Sequence, residues 1–250
     1  MNGVDISHYQ RGLTIRQIKD AGREFAILKL TEGTGPVDDA AFAFYREAYE
    51  TGFPVGCYCY SHALTPEAAR EEAAYLLDAI NGFPMPCGIF LDMEEPKQLG
   101  LSHDGLLNIV RAWCAAIGRA GYFPGVYGSA GTLWAKLRPE ELPDNCLVWT
   151  AKWGAEPPDM PCDLWQSGDN GRIPGYDGPV DTDAVRSKRF RRLAAPFRPT
   201  PPAADVNVTV LQLLMRYNGL WDAVDGVDSE KYRERFRRFA GAVLKEEEGV

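Results

Sequence analysis

The chain has 250 residues, enough for one large domain plus a small appendage. Its formal net charge of −8 argues against a general nucleic-acid binder, and 45% hydrophobic with 25% charged residues is the balance of a water-soluble globular protein. No apolar run approaches membrane-spanning length, so no membrane span is expected, and the sequence goes almost directly into a strand-like Gly3 to Ile6, so no signal peptide is expected within it, whether trimmed off or never present.

Taken in order, Gly3 to Ser7 reads as a first strand with Asp5 near its end. A short amphipathic helix over residues 13–22 closes at Gly22, and Phe25 to Gly33 is an apolar strand that turns polar at Lys29 and Glu32. Residues 39–51 are helical, with Phe42, Tyr45 and Tyr49 at spacings of three and four, and Gly52 stops them. Pro54 to Ser61 is the third strand. Thr65-Pro66-Glu67 then gives a helix start, because a capping residue is followed by proline at the first helical position and an acid in the first turn.

The stretch Gly88 to Glu95 reads as a short buried strand, Ile89 to Leu91, that ends in acids. Side chains alternate along a strand, so Asp92 and Glu94 share a face, roughly 6–7 Å apart along the chain, and Met93 faces the other way. Two carboxylates at the end of an apolar strand repel unless water, cations or a substrate offset the repulsion. That pairing suits a glycosidase, in which one carboxyl protonates the leaving oxygen and another charge steadies an oxocarbenium-like centre. A strand running into a solvated acidic loop is the plainer alternative. Glu95, next along and followed by Pro96, reads as structural or solvated.

Ser102 caps the next helix, whose apolar stripe runs through Leu106, Ile109, Val110, Trp113 and Ile117 to its end at Gly121. Further strands are expected at 124–128, 147–151, 163–166 and 180–183. The first five strands alternate with helices, which implies parallel pairing through right-handed crossovers, whereas the last three are joined without a strong helix. The expected fold is therefore an α/β barrel of the (β/α) TIM-like kind, irregular in its second half. Such barrels carry their active sites at the C-terminal ends of the strands. Asp5, Glu32, Tyr60, Asp92, Glu94, Tyr127, Trp153, Gln166 and Asp181 all lie at or just after expected strand ends. Tyr58 and Trp149 should lie deeper, as core. His8 and His62 also follow strands, where a satisfied polar role is the default, and Lys29 and Glu32 are expected to pair. The six cysteines form no C-x-x-C pair and read as small buried hydrophobes rather than a disulfide framework or a metal site.

Gly-Val-Asp-Ile-Ser at 3–7, Lys29 to Gly33, Asp39-x-x-Phe42, Gly56-x-Tyr58-x-Tyr60, Asp92-x-Glu94, Gly125-Val126-Tyr127, Trp165-Gln166 and Val180-Asp181 occur in that order. Together, over about residues 2–186, they resemble the glycoside hydrolase family 25 lysozymes, the Chalaropsis-type muramidases of bacteria and phages. The resemblance implies cleavage of the β-1,4 bond from N-acetylmuramic acid to N-acetylglucosamine in bacterial peptidoglycan, outside the cell or on release at lysis, with no cofactor and no metal. It assigns Glu94 as general acid and Asp92 as the group that orients the substrate acetamido or stabilises positive charge. Asp5 and Asp181 become the other acids of the groove, with Asp183 the lesser candidate for the last. By their place at the strand ends, and not by the resemblance, Tyr60, Tyr127 and Trp153 are read as either substrate contacts or barrel filling, and Gln166 and Glu32 are added as candidate substrate contacts, with an ion pair to Lys29 the default for Glu32.

Two rival readings come from other classes. A metal-dependent phosphodiesterase would also cluster acids on a barrel, but would add histidines or phosphate-binding basic residues at the strand ends. A non-catalytic wall-binding barrel would be free to lose the four acids that are present. The expected domain plan is a catalytic barrel over 1–193, a Pro/Ala-rich linker over 194–205 and a helical region over 206–250 open to wall binding or self-association. The basic run at 186–192 is expected to be a solvated terminal helix.

Overall fold

A computed structural model describes residues 1–80 and 82–194. The expected linker from residue 195 onward and the helical region 206–250 lie outside the described residues.

The eight strands close into a barrel in sequence order: β1 (Asn2–Ile6), β2 (Phe25–Glu32), β3 (Val55–Tyr60), β4 (Ile89–Asp92), β5 (Pro124–Ser129), β6 (Leu147–Ala151), β7 (Leu164–Ile173) and β8 (Tyr176–Val185). Helices α1 (Ile15–Asp20), α2 (Ala41–Thr51), α3 (Pro66–Ile80), α4 (Pro96–Leu99) and α5 (His103–Arg119) fall between the first five strands. A final helix, α6 (Lys188–Leu193), follows β8. Strands β1 to β7 pair in parallel, while β8 is antiparallel to both β7 and β1.

Local chemistry accounts for most of these boundaries. Thr14 accepts from the Gln17 amide at the start of α1, and Ser102 accepts from the Gly105 amide at the start of α5, each satisfying a donor the helix leaves free. Gly52 ends α2 in the left-handed region at φ 63°, where a side chain would be strained. One face of α5 buries Leu106, Ile109, Val110, Trp113 and Ile117, and it packs against α3.

The last two strands are longer than the sequence pattern indicates. Residues 163–166 and 180–183 are only the barrel-facing parts of a ten-residue hairpin on each side, turning at Pro174-Gly175. Gly168, Asp169, Asn170 and Gly171 lie beyond the strand expected at 163–166, yet here they extend β7 through shifted pairings opposite Val180 and Thr182. The basic terminal helix is likewise not simply solvated. Phe190 is fully buried against Phe25, with ring centroids 5.3 Å apart, and Arg189 pairs with the buried Asp163. Thus α6 plugs the N-terminal end of the barrel.

Aromatics fill the interior. Trp149 is almost wholly buried and lies edge-on to Phe90 at 5.2 Å and against Tyr127 at 4.4 Å. With Phe25, Ile27, Leu147 and Leu164 it closes the barrel from below, so the acids of the pocket gather toward the C-terminal mouth.

Candidate active site

Seven strand positions and one loop residue meet at that mouth. Asp5 (β1), Tyr58 (β3), Asp92 (β4), Tyr127 (β5), Trp149 (β6), Gln166 (β7) and Asp181 (β8), with Glu94 just past β4, line a pocket of about 80 Å³. Asp92 and Glu94 do face the same space, and Met93 is turned away and buried.

Gln166 is the hub. Its side chain is buried, and its amide Nε2 donates to Asp5 Oδ2 (2.9 Å) and Asp181 Oδ2 (3.4 Å). Its Oε1 accepts from the Tyr127 hydroxyl (2.9 Å) and from the Trp153 indole Nε1–H (3.1 Å). One amide therefore bridges two acids and fixes two aromatics. Asp181 reaches the site differently from the other acids: it lies mid-strand in β8, not at a C-terminal strand end. The antiparallel register sets it directly opposite Asp5. Such opposed like charges repel unless something bridges them, which the Gln166 amide does.

Asp183 sits one step deeper on the same face of β8, buried and accepting from Trp149 Nε1 (2.8 Å). Burial lifts its pKa to about 7. Asp5 is pushed well above the usual carboxylate range by burial first, then by Asp183 and Asp181, with the Gln166 hydrogen bond pulling the other way. Two buried carboxyls in contact cannot both ionise cheaply, so at neutral pH this pair retains a proton.

Asp92 is buried, and burial and then Glu94 raise its pKa well above the ordinary value, opposed by Lys29. Among the described residues no group donates to its Oδ1. Glu94 stands at the mouth, solvent-exposed, yet crowded enough by the walls that desolvation, and then the charge of Asp181, raise its pKa. The site thus presents one accessible carboxyl poised to hold a proton and one buried carboxyl lacking a partner. Both are shifted in the same direction, so each is biased toward holding a proton.

Over residues 4–176 the chain matches the sequence profile of glycosyl hydrolases family 25. The chain belongs to that family. As a family 25 member it is a glycoside hydrolase. It is 28% identical over 250 residues to the autolytic lysozyme of Clostridium acetobutylicum, covering 98% of this chain and 75% of that protein. To lysozyme M1 of Streptomyces globisporus it is 27% identical over 221 residues, 78% of this chain and 70% of the relative. The catalytic domain of endolysin ply40 from bacteriophage P40 of Listeria monocytogenes superposes with a TM-score of 0.68 at 23% identity, covering 78% of this chain and 97% of that chain. At that identity the likeness is one of fold.

Not every expected residue of this family 25 site converges on the pocket. Trp153 joins through Gln166, and its indole is 61% exposed, a flat apolar face beside the acids. Tyr60 lies one strand from Asp92, in register with it, its ring 5.5 Å from Lys29 Nζ. Glu32 faces a separate cavity, paired with Lys29 (2.7 Å) and His62 (3.5 Å). His62 also meets Glu95 at 3.0 Å, and His8 meets Asp38 at 2.6 Å, so both histidines are partnered. Tyr58 and Trp149, expected as core, form the pocket floor. Their strand parity with Tyr60 and Ala151 marks them as barrel-facing, but nothing in the sequence says that the interior is left open above them.

Among the described residues no group of His, Cys, Asp and Glu is arranged to hold a metal ion. The described cysteines are unbridged, and no described helix is long and apolar enough to cross a membrane.

Proposed function

We propose that this glycoside hydrolase is a lysozyme that acts on the bacterial cell wall, cleaving the β-1,4 bond from N-acetylmuramic acid to N-acetylglucosamine in peptidoglycan. Glu94 is the general acid and Asp92 the residue that meets the substrate acetamido group. The observation that carries the assignment is the buried Asp92 Oδ1 without a donor. An unpartnered buried carboxylate is costly, and an acetamido N–H arriving beside it offsets that cost in the complex.

Glu94, its proton held by desolvation and by Asp181, donates to the glycosidic oxygen as the C1–O bond breaks and its electron pair moves to that oxygen. Positive charge then grows at C1 and the ring oxygen, in a pocket ringed by Asp5, Asp92 and Asp181. Water completes the reaction at C1 and its proton returns to Glu94. The exposed Trp153 face suits stacking on a sugar ring, and Tyr60 flanks the approach. Tyr127 and Gln166 act chiefly by holding the acids and the indole in place. The names of the relatives, two of them lysozymes, support the same substrate.

Residues 1–193 form the catalytic region in this reading, 194–205 a linker and 206–250 a helical region for wall binding or self-association. Pelleting with cell walls after deletion of 203–250 tests the wall-binding role. The enzymatic assignment is tested by digesting purified peptidoglycan with wild type and Glu94→Gln and identifying new reducing ends by mass spectrometry. Muramic acid ends from the wild type alone are expected. Glucosamine ends would move the cut to the other bond, and binding without products would make the barrel a recognition module.

A further inference from the structure

Glu94 sits on an arch of backbone. Strand β4 stops at Asp92, three residues carry the chain across, and α4 begins at Pro96. The first foot is firm, because Met93 is fully buried and its amide donates to the Tyr127 carbonyl (3.0 Å). The second foot is α4, four residues long and too short to hold its own shape in water. Its place must therefore come from contacts with the rest of the barrel.

The one buried residue of α4 is polar. Gln98 is wholly inaccessible, and its Nε2 donates to Ser61 Oγ (3.1 Å) and to the Ala63 carbonyl (2.8 Å) in the loop after β3. Ser61 is wholly buried too, and its backbone amide donates to the Asp92 carbonyl (2.9 Å). Both feet of the arch thus rest on a single residue. Its hydroxyl is locked in turn. Ser61 Oγ donates to Glu72 Oε2 (2.7 Å) and accepts from the Ala63 amide (3.2 Å), while Glu72 Oε1 accepts from the His62 amide (2.9 Å). Lys136 Nζ also reaches the Leu99 and Leu101 carbonyls, but that contact is exposed.

An apolar side chain would make the simpler anchor. Gln98 Oε1 finds no donor among the described residues, and an orphaned buried oxygen is destabilising. Neither Gln98 nor Ser61 lines the acid pocket or the larger cavity of about 860 Å³ beside it, so neither can touch substrate.

We infer that Gln98 and Ser61 are positioning residues for Glu94: their hydrogen bond closes the arch and holds the acid within reach of the scissile oxygen. The inference rests on the reading of Glu94 as proton donor. A carboxyl displaced by about 1 Å loses its aim at that oxygen, and the loss falls on the chemical step rather than on binding.

The test uses Gln98→Met, which roughly keeps the volume and removes both amide groups, and Ser61→Ala, which breaks the same contact from the other side. Two quantities are measured in each. One is kcat and KM for reducing-end release from soluble glycan strands. The other is the titration of the Glu94 carboxyl, followed by NMR of isotope-labelled glutamate with Glu94→Gln assigning the signal. Both variants should lower kcat about ten- to a hundredfold and move KM by less than about twofold. The Glu94 titration should move down toward the ordinary range, because a carboxyl freed from the arch leaves the walls and the Asp181 charge that hold its proton. An unchanged kcat, even with a lowered Tm, makes the contact a plain fold anchor and overturns the proposal. A loss carried by KM, or a titration that stays put, overturns it as well. If wild type itself releases no reducing ends, the muramidase reading falls and the titration alone decides: a shift in both variants sustains the positioning role, and no shift ends it.

Discussion

Replacing Gln166 with leucine removes the hub of the site while keeping about the same volume. The Tyr127 hydroxyl then loses its acceptor inside a buried wall, and Asp5 loses the one hydrogen bond that favours its ionised form. The Trp153 indole is exposed enough for water to replace its lost bond, and Asp5 can remain protonated, so neither contributes its full cost. The orphaned tyrosine hydroxyl and the weakened Asp5 contact together should cost about 2–3 kcal/mol. For a domain of this size that is a fall of roughly 5–10 °C in Tm. Activity should fall further than stability, about a hundredfold, because the two bridged acids and the indole lose their common anchor.

The assay is thermal unfolding by circular dichroism alongside reducing-end release at a temperature where every variant is folded. Tyr127→Phe closes a double-mutant cycle. In the wild-type background it removes a satisfied hydroxyl and should cost about 1 kcal/mol. In the Gln166→Leu background the same change removes an unsatisfied hydroxyl and should be neutral or stabilising. Strictly additive effects would refute the reasoning, as would a leucine variant that keeps both its Tm and its activity.

Three further outcomes follow from particular contacts. Asp181→Asn keeps an acceptor for Gln166 but removes the charge that is the second cause of the raised Glu94 pKa, so the alkaline limb of the pH–activity profile should move to lower pH; a limb that stays put contradicts the assigned proton donor. Burial holds the folded-state pKa of Asp183 up at about 7, above the ordinary carboxylate value of about 4, so the native state binds more protons than the unfolded chain between those values and stability drains away as pH rises through that window. Asp183→Asn, which still accepts from Trp149, should therefore raise Tm at pH 8 and leave it unchanged near pH 3, as thermal melts across pH would reveal. Gly56→Ala would set a Cβ 2.5 Å from the Gly88 carbonyl oxygen and 3.0 Å from Cys87 backbone atoms, neither free to move, and should cost about 1–3 kcal/mol in a thermal melt.

The parts of the site that could be read in the sequence are those whose position depends on local order alone. A parallel strand delivers its last polar residue to the barrel mouth whatever its neighbours do, which is why Asp5, Asp92 and the nearby Glu94 are visible as a set. The same rule mislocates Glu32. It does end β2, but β2 is two strands from β4, so its carboxylate opens onto the larger cavity rather than the acids. For Asp181 the strand-end rule names the right residue for the wrong reason, since it lies mid-strand in β8 and reaches the pocket through antiparallel register with Asp5.

Gln166 shows the limit most plainly. Its sequence neighbours identify a strand, and its place at the mouth suggests a substrate contact. The four groups it binds come from residues 5, 127, 153 and 181, on strands or loops brought together only by closure of the barrel. Its amide is spent on protein partners, so its effect on substrate must pass through Asp5, Asp181 and Trp153. A residue of this kind is distinguished from a direct ligand by what its loss does to its neighbours. That makes the thermodynamic coupling with Tyr127, more than the loss of activity, the measurement that defines its role.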